Sequence, residues 1–301
     1  MKNMNKYEDC LLCPRKCGIN RSTGQTGVCG VSSEIKVARA ALHYWEEPCI
    51  SGKKGSGAVF FSGCSLHCVF CQNREISDGK AGKVISKERL SDIFIELVDK
   101  GANNINLVTP GQYIPDIVWA VNDAKSRGMK LPIIYNTSGY ENVTELKLLE
   151  GIVDVYLPDF KYMDSTLSAM YSRAKDYPPV AKQALSEMVR QQPDVVIDDA
   201  TGLIQKGVIV RQLLLPGHVN DAKAVLKYLY DTYHDHVYIS MMSQFTPIAL
   251  KDYPEINRTV TRREYERLVD YALKIGITNA FIQEGDVAKD SFIPAFDCEG
   301  V

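Results

Sequence analysis

The sequence predicts an α/β fold in which helices cover a parallel sheet. Short apolar runs of strand length alternate six times with amphipathic stretches of helical spacing after residue 56. Six strand-then-helix units of this kind indicate a parallel sheet. Residues 1–56 are instead rich in glycine, cysteine and charge, with little periodicity. We therefore expect a small cysteine-rich module over 1–56 and an α/β domain over 57–301.

The predicted elements follow one another in a regular order along the α/β domain. Strands are expected at 57–62, 104–108, 132–136, 153–157, 208–214 and 237–241, with 279–283 as a candidate seventh. Helices are expected at 87–100, 113–128, 143–150, 180–191, 220–233 and 262–275. Polar residues or glycines follow these strands at 109–112, 136–140, 158–161, 216–218 and 242–245. Because the carboxyl ends of barrel strands carry the chemistry, these loops are expected to share one site.

Composition excludes several classes of protein. The chain has 301 residues with 35 basic and 37 acidic side chains, so it lacks the basic excess of a nucleic-acid-binding protein. No apolar run is long enough to span a bilayer, and no secretory signal is evident at the N-terminus. Nine cysteines without such a signal indicate metal or catalytic use in a reducing compartment. We expect a cytoplasmic protein with no membrane and no nucleic-acid partner.

Three cysteines, Cys64, Cys68 and Cys71, lie within eight residues directly after the first predicted strand. Cysteine thiolates hold iron–sulfur clusters, and a cubane normally takes four of them. Three ligands leave one iron open to a small molecule. A zinc site is the first alternative, but it needs a fourth ligand, and His67 lies inside the loop at the wrong spacing. Ordinary buried thiols are the second alternative. The spacing and the preceding strand favour the cluster.

This cysteine spacing resembles the cluster-binding motif of the radical S-adenosylmethionine (SAM) enzymes. The stretch 62–73 resembles the cluster loop of pyruvate formate-lyase activating enzymes, and 45–52 and 157–162 look like an "activating enzyme-like" subfamily of unassigned substrate. The resemblance implies a partial (β/α)6 TIM-like barrel of the radical SAM type with a C-terminal extension. It also implies a [4Fe-4S] cluster at which bound SAM is reductively cleaved to a 5′-deoxyadenosyl radical, which then abstracts a hydrogen atom.

The same resemblance implies which residues contact SAM. Phe70 matches an aromatic residue near the adenine, and Thr109-Pro110-Gly111 matches a segment that bonds the SAM amino group, although it departs from the usual Gly-Gly-Glu. Asn136 and Thr137, with Asp159 and Lys161, match residues around the SAM carboxylate, partly through a monovalent cation. Arg211 resembles an arginine that helps to hold SAM. Two structural alternatives remain open: Asp159 and Lys161 as a mere salt bridge, and Arg211 as the partner of a buried acid.

A second cysteine group lies in the N-terminal module and comprises Cys10, Cys13, Cys17 and Cys29. Four cysteines could close a tetrahedral zinc site or bind a second iron–sulfur cluster. The C-x2-C-x3-C start is closer to cluster spacing than to paired zinc knuckles, which favours iron and sulfur. A fully ligated cluster cannot bind SAM, so its role would be electron relay, substrate anchoring or structure. Cys49 is a spare ligand, a substrate-facing thiol or a buried structural cysteine.

Three functions are compatible with these features. The first is a radical SAM enzyme that activates a glycyl-radical partner protein. The second is a radical SAM enzyme that modifies a small molecule, a peptide or another protein directly. The third is a non-catalytic iron–sulfur or zinc protein that binds a partner. Both enzymatic hypotheses require a reductant such as flavodoxin or ferredoxin.

Overall fold

The protein is described by a computed structural model that covers residues 5–248, 250–283 and 294–301. In these ranges ten strands form one sheet with the order β3-β1-β2-β4-β5-β6-β8-β9-β10, and β7 pairs with β8. The strands are β1 (Ile35–His43), β2 (Ser56–Phe61), β3 (Lys83–Ile85), β4 (Ile105–Val108), β5 (Ile133–Thr137), β6 (Val155–Pro158), β7 (Val196–Ile197), β8 (Ile204–Leu213), β9 (Tyr238–Met242) and β10 (Ala280–Ile282).

Helices connect the strands, and several begin at side chains that cap them. Ser86, for example, accepts a hydrogen bond from the backbone N–H of Arg89. The helices are α1 (Pro48–Ser51), α2 (Arg74–Ser77), α3 (Lys87–Asp99), α4 (Ile114–Ser126), α5 (Val143–Leu146), α6 (Ser165–Ser172), α7 (Tyr177–Gln191), α8 (Val219–Tyr233) and α9 (Arg262–Ile275). Short 3-10 turns lie at 21–23, 111–113, 147–149, 234–236 and 254–256.

Seven strands run parallel from β2 through β4, β5, β6, β8 and β9 to β10. Alternate residues of these strands pack into two different apolar layers. Ile133 and Tyr135 belong to the layer that includes the helices, whereas Ile134 belongs to the inner layer. The structure therefore confirms the predicted open parallel sheet of a partial barrel, the six strands and the candidate seventh. All six predicted helices are present as well.

Two antiparallel strands extend the sheet beyond β2. β1 lies in the predicted cysteine-rich module, yet it pairs with β2 on one side and β3 on the other. A register shift between Val37 and Arg39 breaks the alternation of apolar and polar residues along β1, which hides the strand from a periodicity search. The predicted boundary at residue 56 stays a prediction, and it separates two strands that share one ladder.

The segment between β1 and β2 fills the inside of the sheet. Cys49 and Ile50, on the short helix α1, are buried and pack in the inner layer with Val155 and Ile209. This packing supports the structural alternative for Cys49. In the ranges that the structure covers, no helix is both long and apolar enough to cross a membrane.

The C-terminal residues 294–301 cover the outer edge of β1. The Cys298 N–H donates to the Ala38 carbonyl at 3.0 Å, and the Ala40 N–H donates to the Glu299 carbonyl at 2.8 Å. Phe296 packs edge-on against Phe60 of β2 with ring centroids 5.6 Å apart. This segment therefore bonds to the outer edge of β1, which would otherwise be an open edge of the sheet.

Candidate functional site

The cysteine loop begins where β2 ends and lies over the inside of the barrel. Cys64, Cys68 and Cys71 are all unbridged and line one cavity of about 260 Å³. Gly63 has φ +93°, and a Cβ there would lie 2.8 Å from the Cys29 carbonyl oxygen, so only glycine fits the entry to the loop. The Cys64 N–H donates to that same carbonyl at 3.2 Å.

The surroundings of the three thiols set their charge. Burial raises the pKa of Cys64 and of Cys68, and burial together with the neighbouring sulfurs raises the pKa of Cys71 to about 12. The Lys161 ammonium opposes this effect at all three. Without a bound cation the loop therefore favours neutral thiols, and positively charged iron would favour the thiolates that clusters require.

Three thiols suit a four-iron cluster, whose protein ligands are cysteine thiolates. In the described part of the chain, no group of three or more His, Cys, Asp or Glu side chains could hold one metal ion. Three thiolates of a cubane bind three different irons, so they surround a space rather than converge on a point. The three cysteines that line one cavity meet that requirement. Cys64, Cys68 and Cys71 would hold the cluster at this cavity.

Most of the residues predicted to contact SAM line the same cavity as the three cysteines. They are Phe70, Thr109, Asn136, Thr137, Asp159, Lys161 and Arg211. Gly111 lines a smaller neighbouring cavity, and Pro110 lines neither. Phe70 is buried and packs on Phe245 with ring centroids 5.7 Å apart, which gives the cavity an aromatic wall. The individual SAM contacts stay predictions.

Asp159 and Lys161 form an ion pair inside the cavity. Their Oδ2 and Nζ atoms are 2.6 Å apart, and only 14 % of the Lys161 side chain is exposed. Burial alone would lower the pKa of Lys161, but the Asp159 carboxylate and the Cys68 sulfur raise it above its usual range. The structure thus shows the salt bridge of the structural alternative. Both side chains nevertheless line the same cavity as the three cysteines of the loop. The Lys161 ammonium therefore stays charged next to the Cys68 sulfur.

Arg211 is held by two glutamates that the sequence analysis did not single out as site residues. Its guanidinium donates to Glu47 Oε1 at 2.8 Å and Oε2 at 2.6 Å, and it also contacts Glu46 Oε2. Burial alone would lower the pKa of Arg211, but these carboxylates raise it far above its usual value. The structure therefore shows Arg211 as the partner of buried acids, which was the structural alternative for this residue. Because Arg211 also lines the cavity, its SAM contact stays a prediction.

Glu141, which contacts Thr137, is another site residue that the sequence analysis did not identify. The Thr137 hydroxyl donates to Glu141 Oε1, and burial raises the pKa of that carboxyl to about 7. Gly111 lies directly against it, since a Cβ at Gly111 would be 2.9 Å from Glu141 Oε2. A monovalent cation near Asn136, Thr137 and Asp159 stays a prediction.

Gln112 fastens the loop after β4 to the cysteine loop. Its side-chain amide donates to the carbonyls of Ser62 at 2.9 Å, Gly63 at 3.0 Å and Thr109 at 2.8 Å. Thr109 has φ +56°, a left-handed conformation that non-glycine residues seldom adopt. These three bonds hold the unusual Thr109 conformation and set the distance between two walls of the cavity.

The four N-terminal cysteines come together beside the first site. Cys10, Cys13, Cys17 and Cys29 line a cavity of about 30 Å³ together with Cys64 of the cysteine loop. Gly27 is required here, because a Cβ would lie 2.9 Å from the Cys17 sulfur. The structure thus brings the two cysteine groups into contact. Which metal the N-terminal group holds, if any, stays a prediction.

Ser172 is a further missed residue of the first site. Its hydroxyl donates to the Cys68 sulfur at 2.9 Å. Ser172 ends α6, a helix that the sequence analysis did not predict, and no motif marks it. Glu46 and Glu47, by contrast, lie in the stretch 45–52 that carries the family resemblance. That stretch was the available signal for the partners of Arg211.

Comparison with known proteins gives one family match and several distant similarities. Residues 50–170 match the 4Fe-4S single cluster domain. An uncharacterised protein of Methanocaldococcus jannaschii is 28 % identical over 281 residues, which cover 91 % of this chain and 77 % of that protein.

Two solved structures are similar at lower identity. A domain of a pyruvate-formate lyase-activating enzyme from Bacteroides vulgatus is 12 % identical, with a TM-score of 0.41 over 57 % of this chain and 91 % of that one. Streptococcus suis SuiB bound to S-adenosylmethionine is 14 % identical, with a TM-score of 0.49 over 74 % of this chain and 48 % of SuiB. Both scores are below 0.5, so neither likeness contributes to the assignment of the family.

Three findings bear on that assignment. The C-x3-C-x2-C loop follows the first strand of the parallel sheet. The matched 4Fe-4S single cluster domain contains all three cysteines of that loop. The sheet itself is an open partial barrel with its polar loops around one cavity. These findings agree with the resemblance to the radical SAM enzymes, and the matched 4Fe-4S single cluster domain covers residues 50–170 of the 301.

Proposed function

We propose that this protein is an enzyme that binds SAM at a [4Fe-4S] cluster held by Cys64, Cys68 and Cys71 and abstracts a hydrogen atom from its substrate. When bound, the cluster supplies the electron that cleaves SAM reductively to a 5′-deoxyadenosyl radical. The observation that carries the proposal is the cavity itself. It is lined by the three cysteines and by seven of the nine residues predicted to contact SAM.

The remaining groups of the cavity would bind and orient SAM. Phe70 and Phe245 provide an aromatic surface on which an adenine could stack. Asp159 and Lys161 present opposite charges on the wall next to Cys68, which suits a zwitterionic amino-acid moiety. Arg211 keeps its charge against two carboxylates. The low exposure of these groups would exclude water from a reactive radical.

The test is SAM cleavage after anaerobic reconstitution with iron and sulfide. With dithionite and SAM, we expect the wild-type protein to form 5′-deoxyadenosine. Cys64→Ala and Cys68→Ala should abolish it, whereas Cys298→Ala, at a cysteine outside both cysteine groups, should retain it. If no 5′-deoxyadenosine forms in the wild-type protein although the cluster is present, the non-catalytic alternative replaces this proposal.

For the substrate we propose a glycyl-radical partner protein, in line with the resemblance to activating enzymes. Direct modification of a small molecule, a peptide or another protein is the second candidate, favoured by the departure of Thr109-Pro110-Gly111 from the usual glycine-rich segment. The two differ in the fate of the radical. A glycyl-radical doublet in the electron paramagnetic resonance spectrum of a partner would support the first. A stable product with SAM consumed and no doublet would support the second.

For the N-terminal cysteines we propose a second iron–sulfur cluster, with zinc as the alternative. The four thiols share one small cavity with Cys64, which supports a metal centre next to the first. Metal and sulfide analysis distinguishes the two metals. Two four-iron clusters give about eight irons per chain. About four irons and one zinc would overturn the second cluster. In either case Cys10→Ser should remove only the N-terminal metal.

A further inference from the structure

A wide groove lies on the outer side of the cysteine loop. Its volume is about 1010 Å³, and its floor includes Leu66, His67, Cys68 and Val69. Leu66 and Cys68 also line the inner cavity described above. The cysteine loop is therefore the wall between the two spaces, and the outer groove reaches one of the predicted cluster ligands without passing through the inner cavity.

The groove carries an excess of positive charge. Five cationic side chains and two carboxylates line it, which gives a formal charge of +3, whereas the whole chain has a net charge of −2. The cations are Arg15, Arg74, Lys80, Arg173 and Lys251, and the carboxylates are Asp78 and Asp252. The groove is thus positive on a chain whose net charge is negative.

Three of the groove cations are available to a partner. The side chains of Arg74, Arg173 and Lys251 are exposed and make no ion pair or hydrogen bond within the described residues. Arg15 is engaged by carbonyl groups, among them Ser65 at 2.8 Å, but it keeps its charge. Lys80 lies 3.9 Å from Asp78 and is 83 % exposed.

We propose that this groove docks a small acidic protein that carries a low-potential one-electron centre, such as flavodoxin or ferredoxin. The proposal rests on the proposed function and names the partner that reduces its cluster. In the step, the donor is oxidised by one electron and the cluster held by Cys64, Cys68 and Cys71 is reduced by one electron. No atom has to be transferred across the loop.

The position of the groove favours an electron donor over an acidic protein substrate. A substrate must present a C–H bond to SAM in the inner cavity, which lies on the other side of the loop. An electron donor needs only to approach the cluster, and Cys68 forms part of the groove floor. Complementary charge accelerates the encounter of redox partners by about 10- to 1000-fold at low salt, which suits the weak, rapid contacts of electron transfer.

The test compares a charge-reversal variant with a matched control. The variant is Arg74→Glu, Arg173→Glu and Lys251→Glu. The control is Lys54→Glu, Lys130→Glu and Lys206→Glu, which changes the net charge equally at exposed positions outside the groove. Each reconstituted protein is reduced either by flavodoxin hydroquinone or ferredoxin, or by dithionite. Cluster reduction is followed by absorbance, and 5′-deoxyadenosine is measured.

We expect the groove variant to be reduced at least about tenfold more slowly by the protein donors at low salt, with normal reduction by dithionite. Wild-type rates with the protein donors should fall as salt rises, and those of the groove variant should change little. The control should behave as wild type. Equal donor rates in all three proteins, or no reduction of the wild type by either donor, would overturn the docking site. Failure of dithionite to yield 5′-deoxyadenosine would instead overturn the proposed function.

Discussion

The sulfur of Cys68 has a more polar environment than its burial suggests. Ser172 donates a hydrogen bond to it at 2.9 Å, and the Lys161 ammonium lowers its pKa against the effect of burial. Hydrogen bonds and positive charge near cluster sulfurs stabilise the more negative, reduced state. At the scale of single residues, the chain therefore supports the reduction on which the proposed function depends.

Ser172→Ala tests this effect directly. Loss of the hydroxyl should lower the midpoint potential of the cluster, on the order of 40 mV for each kcal/mol of lost interaction in a one-electron couple. The measurement is a redox titration followed by electron paramagnetic resonance. Ser168→Ala is the matched control, because Ser168 is buried in the same helix and donates to the Ser165 carbonyl instead. An equal potential in both variants would contradict the prediction.

The residues of the site differ in how far sequence could predict them. The cysteines and the charged pair Asp159 and Lys161 follow from short spacings and strand ends, so their common cavity was predictable. Ser172 contacts the Cys68 sulfur from a segment 104 residues away, and Glu141 packs against Gly111 of an earlier loop. Single-sequence patterns carry no record of such contacts.

At the scale of elements, α9 shows how one carboxylate organises a helix start. Glu264 forms a capping box with Thr261, accepts from the Gly217 N–H at 2.8 Å and pairs with Arg258 at 2.7 Å. Through Gly217 it joins α9 to the loop after β8. The Arg258 guanidinium and these N–H donors hold the pKa of Glu264 far below its usual range, despite partial burial.

Glu264→Gln should lower the free energy of unfolding by about 2 kcal/mol at pH 7, since charge-assisted hydrogen bonds are lost. Because the folded pKa lies below the ordinary value of 4.5, the carboxylate stabilises the fold fully above pH 4.5. That contribution disappears as the pH falls further toward the folded pKa. The difference between the variant and the wild type should therefore be constant from about pH 6 to 8 and shrink below pH 4.5.

Urea unfolding followed by circular dichroism measures this difference. Glu266→Gln is the control, since Glu266 lies on the same helix in an exposed ion pair with Arg262 and should contribute little. If Glu264→Gln lowers the free energy of unfolding by the same amount at every pH down to 3.5, packing rather than charge explains the effect.

Elements with clean periodicity were predictable, and those with interrupted patterns were not. The parallel strands and the long helices follow from apolar spacing alone. β1 is interrupted by a register shift, and α6 is only eight residues long with a weakly amphipathic sequence. Both owe their structure to neighbours, β2 for the strand and α7 for the helix.

At the scale of the whole molecule, Arg21 joins the N-terminal cysteines to the barrel. Its guanidinium donates to the carbonyls of Val31 at 3.2 Å, Ser32 at 2.5 Å and Gln112 at 2.8 Å, and it is 1 % exposed. Gln112 in turn bonds the cysteine loop. One buried cation therefore links the two cysteine groups through a single chain of contacts.

Arg21→Met should leave three carbonyls without their donor and loosen residues 5–34 from the barrel. We expect a loss of stability of about 3 kcal/mol and faster proteolysis within this segment, while the barrel stays folded. Arg21→Lys should rescue only part of the loss, since a single ammonium cannot span the three carbonyls. Limited proteolysis with mass spectrometry measures the effect, and Arg262→Met, at an exposed arginine, is the control. Uniform cleavage of Arg21→Met across the whole chain would contradict the prediction that the barrel stays folded.

The cysteine loop separates the outer groove from the inner cavity, and this has a kinetic consequence. With the donor in the groove as proposed and the substrate in the cavity, the two would occupy different faces of the same loop, so both could be bound at once. Steady-state kinetics should then show a ternary complex, in which excess donor does not compete with the substrate. Neither partner would have to leave before the other binds. The donor could then reduce the cluster again while the substrate stays bound.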